Sequence, residues 1–399
     1  MPAPPGTIET TRCGRPATTG PIDLDHHAVE KLHQRTAPLP EPSQAYLSAA
    51  AIPSSRPEST PTAPPILILD LNHTLLCRSE RNRAGSKVPL VRPYLSCFLE
   101  YVCSPVTDGA SDARFVPIVF SSARYRNVLS LLVALDLVSP HRLPPPLPPR
   151  NRHGPPPPRS FVDQPTTYTC EESKGDVLKL VWTRENMGLN ARDFGGDVET
   201  VKDLEGVWKA LQLGRSSDVD NHSDLEMERE EEARNMEGAR RTILLDDEVS
   251  KAAQQPYSLL PIKPFLLTPQ DFPPLPLFQP KSADDVPPPP SAVELPTRDH
   301  PAWSDRTLLS ITYQLDRMSR WDNISHEVRD GGIERIRREV RDELERRNGV
   351  ERNEVEIDDE MERRGEKLIK AAGIEVRKEW DRGWRDRVLG KSRRGHGRE

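Results

Sequence analysis

The stretch Ile66-Leu67-Ile68-Leu69-Asp70-Leu71-Asn72-His73-Thr74-Leu75-Leu76 decides how this chain is read. Four consecutive apolar residues follow Pro64-Pro65, which suits a short strand buried on both faces. The run stops at Asp70, and a polar turn of the form D-x-N-x-T closes on Leu75 and Leu76. If the strand is parallel to its neighbours, Asp70 stands at its carboxyl end, where open α/β sheets bind ligands. Alone, such a turn is equally compatible with ordinary loop chemistry.

Working outward, the same character returns at intervals. Leu95, Phe98, Leu99 and Val102 have helical spacing, with Pro93 tolerable in a first turn. Phe115-Val116-Pro117-Ile118-Val119-Phe120 reads as a strand that stops at Ser121-Ser122, and Val128, Leu129, Leu132, Val133 and Leu137 mark the next helix. Leu178–Trp182 is a third strand, 204–213 a short helix, and Thr242-Ile243-Leu244-Leu245 a strand ending at Asp246-Asp247. Strands and helices alternating in this order argue for a parallel sheet wrapped by helices, an α/β fold.

The rest of the 399 residues has another character: 36 of the 42 prolines fall in 1–65, 140–158 and 261–301. With a hydrophobic fraction of 35% and a mean hydropathy of −0.67, the chain is not one uniform globule. Residues 1–61 read as disordered. The α/β domain is expected over 62–270, with insertions at about 138–165 and 214–239. A Pro-rich linker follows over 271–301, then a charged helical extension over 302–399. The second insertion is acidic, with Glu226, Glu228, Glu230, Glu231 and Glu232 close together, and reads as a solvated loop or helix. The extension holds 24 basic and 23 acidic residues and no proline. Its stripes, Leu308/Ile311/Leu315/Met318/Trp321, Ile333/Ile336/Val340/Leu344 and Val376/Trp380/Trp384/Val388, are helical in spacing. They are open to packing together, docking on the α/β domain or binding a protein partner.

Lys and Arg number 56 against 62 Asp and Glu, a net charge of −6, so nucleic acid is not an expected partner. No apolar run reaches the ~18 residues of a membrane span. The start shows no secretory signal, and prolines and Glu9 work against a mitochondrial presequence despite Arg12 and Arg15. The five cysteines (Cys13, Cys77, Cys97, Cys103, Cys170) have no metal or disulfide spacing, which fits a reducing compartment. The expected location is intracellular, nuclear or cytoplasmic, with mitochondria the alternative.

Asp70 gains meaning from residues placed like it. Ser121 ends a strand and offers a hydroxyl to a phosphate. Lys202 precedes a helix and offers positive charge. Asp246-Asp247 end a further strand and offer oxygen ligands for Mg²⁺. A nucleophilic carboxylate, a hydroxyl, a lysine and an acidic pair make a phosphoryl-transfer set.

The motifs Asp70-Leu71-Asn72-His73-Thr74-Leu75, Phe120-Ser121-Ser122-Ala123, Trp182-Thr183-Arg184-Glu185, Val201-Lys202-Asp203-Leu204 and Ile243-Leu244-Leu245-Asp246-Asp247 occur in that order. Together they resemble the homology domain of RNA polymerase II C-terminal-domain phosphatases and Dullard-like (NLI-interacting-factor-like) phosphatases, within the haloacid dehalogenase superfamily. Lys251–Tyr257 also resembles the segment after the family's acidic pair. The resemblance implies a Rossmann-like parallel sheet of the haloacid dehalogenase type. It implies Asp70 as the nucleophile forming an aspartyl phosphate, with Ser121 and Lys202 holding phosphate oxygens. Mg²⁺ would be held by Asp247 with Asp246 beside it, the Asp70 carboxylate and the backbone carbonyl of Asn72. Thr74 and Arg184 stand where substrate is contacted. The implied substrate is a phosphoserine or phosphothreonine peptide.

One position departs from the family. Where it has an aspartate that protonates the leaving oxygen and then activates water, this chain has Asn72. An amide does not exchange a proton near neutral pH, and loss of a general acid/base is worth roughly 10²–10⁴ in rate. His73 is adjacent and titrates in the useful range; it reads as a replacement or as an ordinary turn residue. Two functions are therefore expected as alternatives. The first is a weakened Mg²⁺-dependent phosphatase. The second is a phosphatase-fold scaffold, as in the receptor subunit of the mitochondrial inner-membrane presequence translocase, with the charged helices making the contacts.

Overall fold

The computed structural model describes residues 39–54, 63–78, 89–104, 114–138, 168–169, 177–196, 198–213, 224–267 and 300–389. Most of the expected disordered segment (1–38 and 55–62), most of the first insertion (139–165), the first ten residues of the second (214–223) and the linker at 271–299 lie outside the described residues, whereas 224–239 of the second insertion are helical.

The strands are β1 (Ile66–Leu69), β2 (Leu76–Arg78), β3 (Pro89–Val91), β4 (Val116–Phe120), β5 (Tyr168–Thr169), β6 (Leu180–Trp182), β7 (Thr242–Asp246) and β8 (Leu259–Pro261). Six of them form one sheet in the order β5-β6-β4-β1-β7-β8, while β2 and β3 pair antiparallel on their own. The five strands from β6 to β8 are parallel and only the edge strand β5 runs antiparallel. This is the expected α/β fold with a parallel sheet. β1 is flanked by β4, which follows it in the chain, and by β7, which arrives much later. The order of connection therefore reverses beside β1, and Asp70 lies at that crevice.

The helices are α1 (Gln44–Ala51), α2 (Leu95–Cys103), α3 (Tyr125–Ala134), α4 (Ala191–Gly195), α5 (Leu204–Ala210), α6 (Asp224–Arg241), α7 (Thr307–Met318), α8 (Ile324–Arg329), α9 (Gly332–Asn348), α10 (Glu354–Ala371) and α11 (Trp384–Val388). The alternation of side chains along a strand separates two cores. Leu67 and Leu69 of β1, with Val119, Val181, Ile243 and Leu245, face α2, α3 and the helices beyond residue 300. Ile66 and Ile68, with Ile118, Phe120, Leu180 and Leu244, face Tyr46 of α1, Trp208 of α5 and Ala239 of α6.

Two elements differ from the sequence expectation. Within the stretch 1–61, Gln44–Ala51 is helical: Ser43 Oγ accepts from Tyr46 N at 3.1 Å, and Tyr46 is fully buried, its hydroxyl accepting from Tyr257 N at 2.9 Å. Eight residues make a marginal helix without tertiary support, and that support is not visible in local sequence. The second difference is at 376–388, where four-residue spacing predicts a helix but only Trp384–Val388 is helical. Gly373 ends α10 at φ 75°, and the carbonyls of the following segment serve the start of α2 instead of a helix. Lys378 O accepts from Tyr94 N at 3.2 Å and Glu379 O from Ser96 Oγ at 3.2 Å.

The C-terminal helices dock on the α/β sheet. Leu308, Ile311, Leu315 and Met318 of α7, Ile336 and Val340 of α9, and Ile357, Met361 and Ile369 of α10 join the same core as Leu67. Polar anchors fix the register. Tyr101 OH of α2 donates to Asp316 Oδ1 of α7 at 3.0 Å, and Arg387 of α11 forks onto Glu100 of α2 at 2.7 and 2.6 Å. The apolar stripes are thus spent inside the protein. Among the described residues, no helix is long and apolar enough to cross a membrane.

Candidate functional site

Asp70 follows β1 directly, and its backbone N–H still donates to Leu245 O of β7 at 3.0 Å, so the residue is held in strand register before the chain turns. The turn is tight: His73 has a left-handed backbone (φ 62°), and its N–H donates to Leu76 O at 2.7 Å. A positive φ at a residue other than glycine is uncommon and persists where surrounding bonds hold it. Lys202 lies just before α5, and its backbone N–H donates to Lys251 O at 2.7 Å, which ties the two lysine-bearing loops together.

The side chains converge. Lys202 Nζ is 2.8 Å from Asp70 Oδ1 and 2.6 Å from Asp246 Oδ2, with all three residues at most 1% exposed. Ligand oxygens of Asp70, Asp246 and Asp247 all lie within 4.8 Å of one another, close enough to share one cation. Asp247 Oδ1 accepts from Thr74 Oγ1 at 3.0 Å, and His73 Nδ1 stands 3.9 Å from Asp247 Oδ2. Asp70 Oδ2 is buried with no hydrogen-bond partner. A buried carboxylate oxygen left in that state is costly unless something else satisfies it. It is the observation that best fits a divalent cation here, because hard oxygen donors are what Mg²⁺ takes. The Asn72 side-chain oxygen is likewise buried without a hydrogen-bond partner.

Ser121 continues β4 beside this loop. It is fully buried, its N–H donates to Trp182 O at 3.0 Å, and its hydroxyl accepts from Ala123 N at 3.3 Å. Arg184 is engaged with loop backbone. Its guanidinium donates to Asp193 O (2.7 Å), Gly196 O (2.8 Å), Phe194 O (3.2 Å) and Ser122 O (3.4 Å), bracing α4 against the loop after β4. Asp70, Thr74, Lys202, Asp246 and Asp247 are therefore linked by direct contacts, whereas Arg184 holds loop backbone.

Lys251 was not among the residues expected in the site. It enters from the 3₁₀ turn Val249–Ala252 after β7, with Nζ 3.3 Å from Asp246 Oδ1, 3.8 Å from Asp70 Oδ2, 3.9 Å from Asp247 Oδ1 and 3.5 Å from Glu248 Oε2. Its position four residues after Asp247 was the available signal, since one helical turn returns a side chain toward the acidic pair.

The electrostatics follow from this packing. Burial works to lower the Lys251 pKa, but the carboxylates of Asp70, Asp246, Asp247 and Glu248 outweigh it and raise it well above the ordinary lysine value. Burial likewise pushes Asp246 up, and the ammonium groups of Lys202 and Lys251 reverse that and hold it below the ordinary carboxylate range. Asp247 is pushed up by burial, which Lys251 and the Thr74 hydrogen bond only partly offset. One carboxylate is thus firmly ionised while its neighbour would gain from added positive charge.

Comparison with curated proteins finds similarity to an uncharacterized FCP1 homology domain-containing protein of Schizosaccharomyces pombe, 26% identical over 233 residues, which cover 57% of this chain and 70% of that protein. No family model matches the chain. The similarity supports a C-terminal-domain-phosphatase-like family, and the group of aspartates is able to bind a metal.

Proposed function

We propose that this chain is a Mg²⁺-dependent phosphatase-like protein that acts on phosphoserine or phosphothreonine peptides through an aspartyl phosphate at Asp70. The observation that carries the reading is the buried Asp70 carboxylate, one oxygen on Lys202 and the other without a hydrogen-bond partner, beside the paired Asp246 and Asp247. Asp70, Asp246, Asp247 and the main-chain oxygen of Asn72 would hold the cation, which, when bound, neutralises charge on the phosphoryl oxygens. Asp70 attacks phosphorus, the bond to the serine or threonine oxygen breaks, and water then hydrolyses the acyl phosphate to release inorganic phosphate. Lys202 balances negative charge at Asp70 throughout, and the Ser121 hydroxyl is available to a phosphoryl oxygen.

Asn72 makes the leaving step slow. An alkoxide leaves poorly without a proton, and Asn72 has none to give. The second reading, a phosphate-binding scaffold with little turnover, is favoured by this residue. Hydrolysis of a small aryl phosphate separates the two, since an aryl oxide leaves without protonation. Asn72→Asp is expected to raise the Mg²⁺-dependent rate on a phosphoserine peptide, whose alkoxide needs a proton, by about 10²-fold or more, and on the aryl phosphate only as far as activation of water limits turnover. Absence of hydrolysis in both forms, with no Mg²⁺ binding, contradicts the enzyme reading.

A further inference from the structure

Arg92 follows β3 and is 1% exposed, yet it touches none of the carboxylates described above. Its guanidinium instead joins three separate parts of the chain. Nη1 donates to Thr74 O in the turn after Asp70 at 2.9 Å. Nη2 donates to Lys263 O, in the segment after β8, at 2.8 Å. Nε donates to Asp305 Oδ2 at 2.8 Å. Phe265 places its ring 5.4 Å from the guanidinium carbon. Burial lowers the pKa of Arg92; the Asp305 carboxylate opposes it most and the charge of Asp247 adds to that, so the ion pair with Asp305 is the main compensation for the buried charge.

Each end of this bridge is tied to something that matters. Thr74 donates its hydroxyl to Asp247 Oδ1 at 3.0 Å, so the residue whose carbonyl Arg92 holds also orients a carboxylate of the cation cluster. Asp305 Oδ1 accepts from Thr307 N at 2.8 Å in the first turn of α7, so the acid is placed by the C-terminal helices. A planar fork fixes both carbonyls at once, which a lysine cannot do.

We propose that Asp305 and Arg92 are positioning residues: through them the C-terminal helices set the Thr74 turn, orient Asp247 and so tune the divalent-cation affinity of Asp70, Asp246 and Asp247. The inference rests on the proposed Mg²⁺ site. Arg92 and Asp305 make no hydrogen bond to Asp70, Asp246 or Asp247; they act through Thr74 and, for Arg92, also through its charge near Asp247.

The test is calorimetric titration of the full chain with Mg²⁺ alone, run on the natural protein, Asp305→Asn, Asp305→Glu and Arg92→Lys, with thermal midpoints measured in parallel. Asn keeps an acceptor for Thr307 N, the first N–H of α7. Partners that orient metal ligands are worth about 10–100-fold in affinity. Asp305→Asn and Arg92→Lys are therefore expected to bind Mg²⁺ at least about tenfold more weakly while remaining folded, with Asp305→Glu recovering most of the loss. Should Asp305→Asn fail to fold, Asp305→Ser, whose hydroxyl is also an acceptor for Thr307 N, takes its place. A lowered thermal midpoint with Mg²⁺ affinity within twofold of the natural protein overturns the inference while leaving the proposed site standing. No Mg²⁺ binding by the natural protein overturns both.

Discussion

Lys202 is the residue on which the charge balance of the site turns, because its ammonium serves Asp70 and Asp246 together in a volume closed to water. Removing one partner of such a buried group leaves uncompensated charge, at a cost of about 3–5 kcal/mol. Lys202→Met is thus expected to lower stability to urea by that amount, and an unchanged midpoint would mean the aspartates are not charged against it. A separate residue-scale effect lies at Glu362 of α10, whose carboxyl burial raises to about 7, with Asp305, Asp358 and Asp359 adding and Arg306 opposing. A carboxyl raised in the folded state holds a proton that the unfolded chain releases, so stability falls as pH rises from about 4.5 to about 7. Screened by solvent, this is worth about 1–2 kcal/mol. Glu362→Gln should be the more stable form at pH 8 and nearly equal at pH 4; denaturation curves at the two values check it. Asp70, Lys202, Asp246 and Asp247 were legible because each sits where an apolar run ends or just before a helix, whereas Thr74 was marked only by the family resemblance, as a substrate contact, and here bonds Asp247. Arg92 was not legible, because nothing local distinguishes an arginine before Pro93 from a solvated one, and Lys251 offered only its four-residue spacing from Asp247.

At the scale of elements, β1, β4, β6 and β7 were readable as short apolar runs, whereas β5, β8 and the β2–β3 pair were not. These have two or three residues each, too few to establish a period, and exist through pairing: β2 with β3, β5 with β6 and β8 with β7. Helix contacts show the same limit. Gly365 in α10 reads as a weak helix residue, yet a methyl group there would fall 1.8 Å from Leu309 O in α7. The glycine lets the two backbones approach. Gly365→Ala must therefore push α7 and α10 apart, costing about 1–3 kcal/mol or more, and thermal unfolding of the variant measures it. A midpoint equal to that of the natural protein would show that the helices do not meet at this point.

Across the whole molecule, the α/β sheet and the C-terminal helices share one core, and many charged residues among those described beyond 301 pair with one another. Examples are Arg337 with Asp358 at 2.7 Å, Arg364 with Glu343 at 2.7 Å and Arg317 with Glu339 at 2.6 Å. That quarter of the chain was legible as helical from its first two stripes, but its docking was not, since amphipathic faces state that something covers them and not what. The central claim concerns the rim of the sheet: Asp70 with Asp246 and Asp247 binds a cation and takes a phosphoryl group. Trapping with beryllofluoride, followed by ¹⁹F NMR, tests it most directly, because it needs the carboxylate and the cation but not the proton transfer that Asn72 lacks. Mg²⁺-dependent bound-fluoride resonances that vanish in Asp70→Asn are the expected result. Their absence from the natural, folded protein at saturating Mg²⁺, or their persistence in Asp70→Asn, would contradict the account.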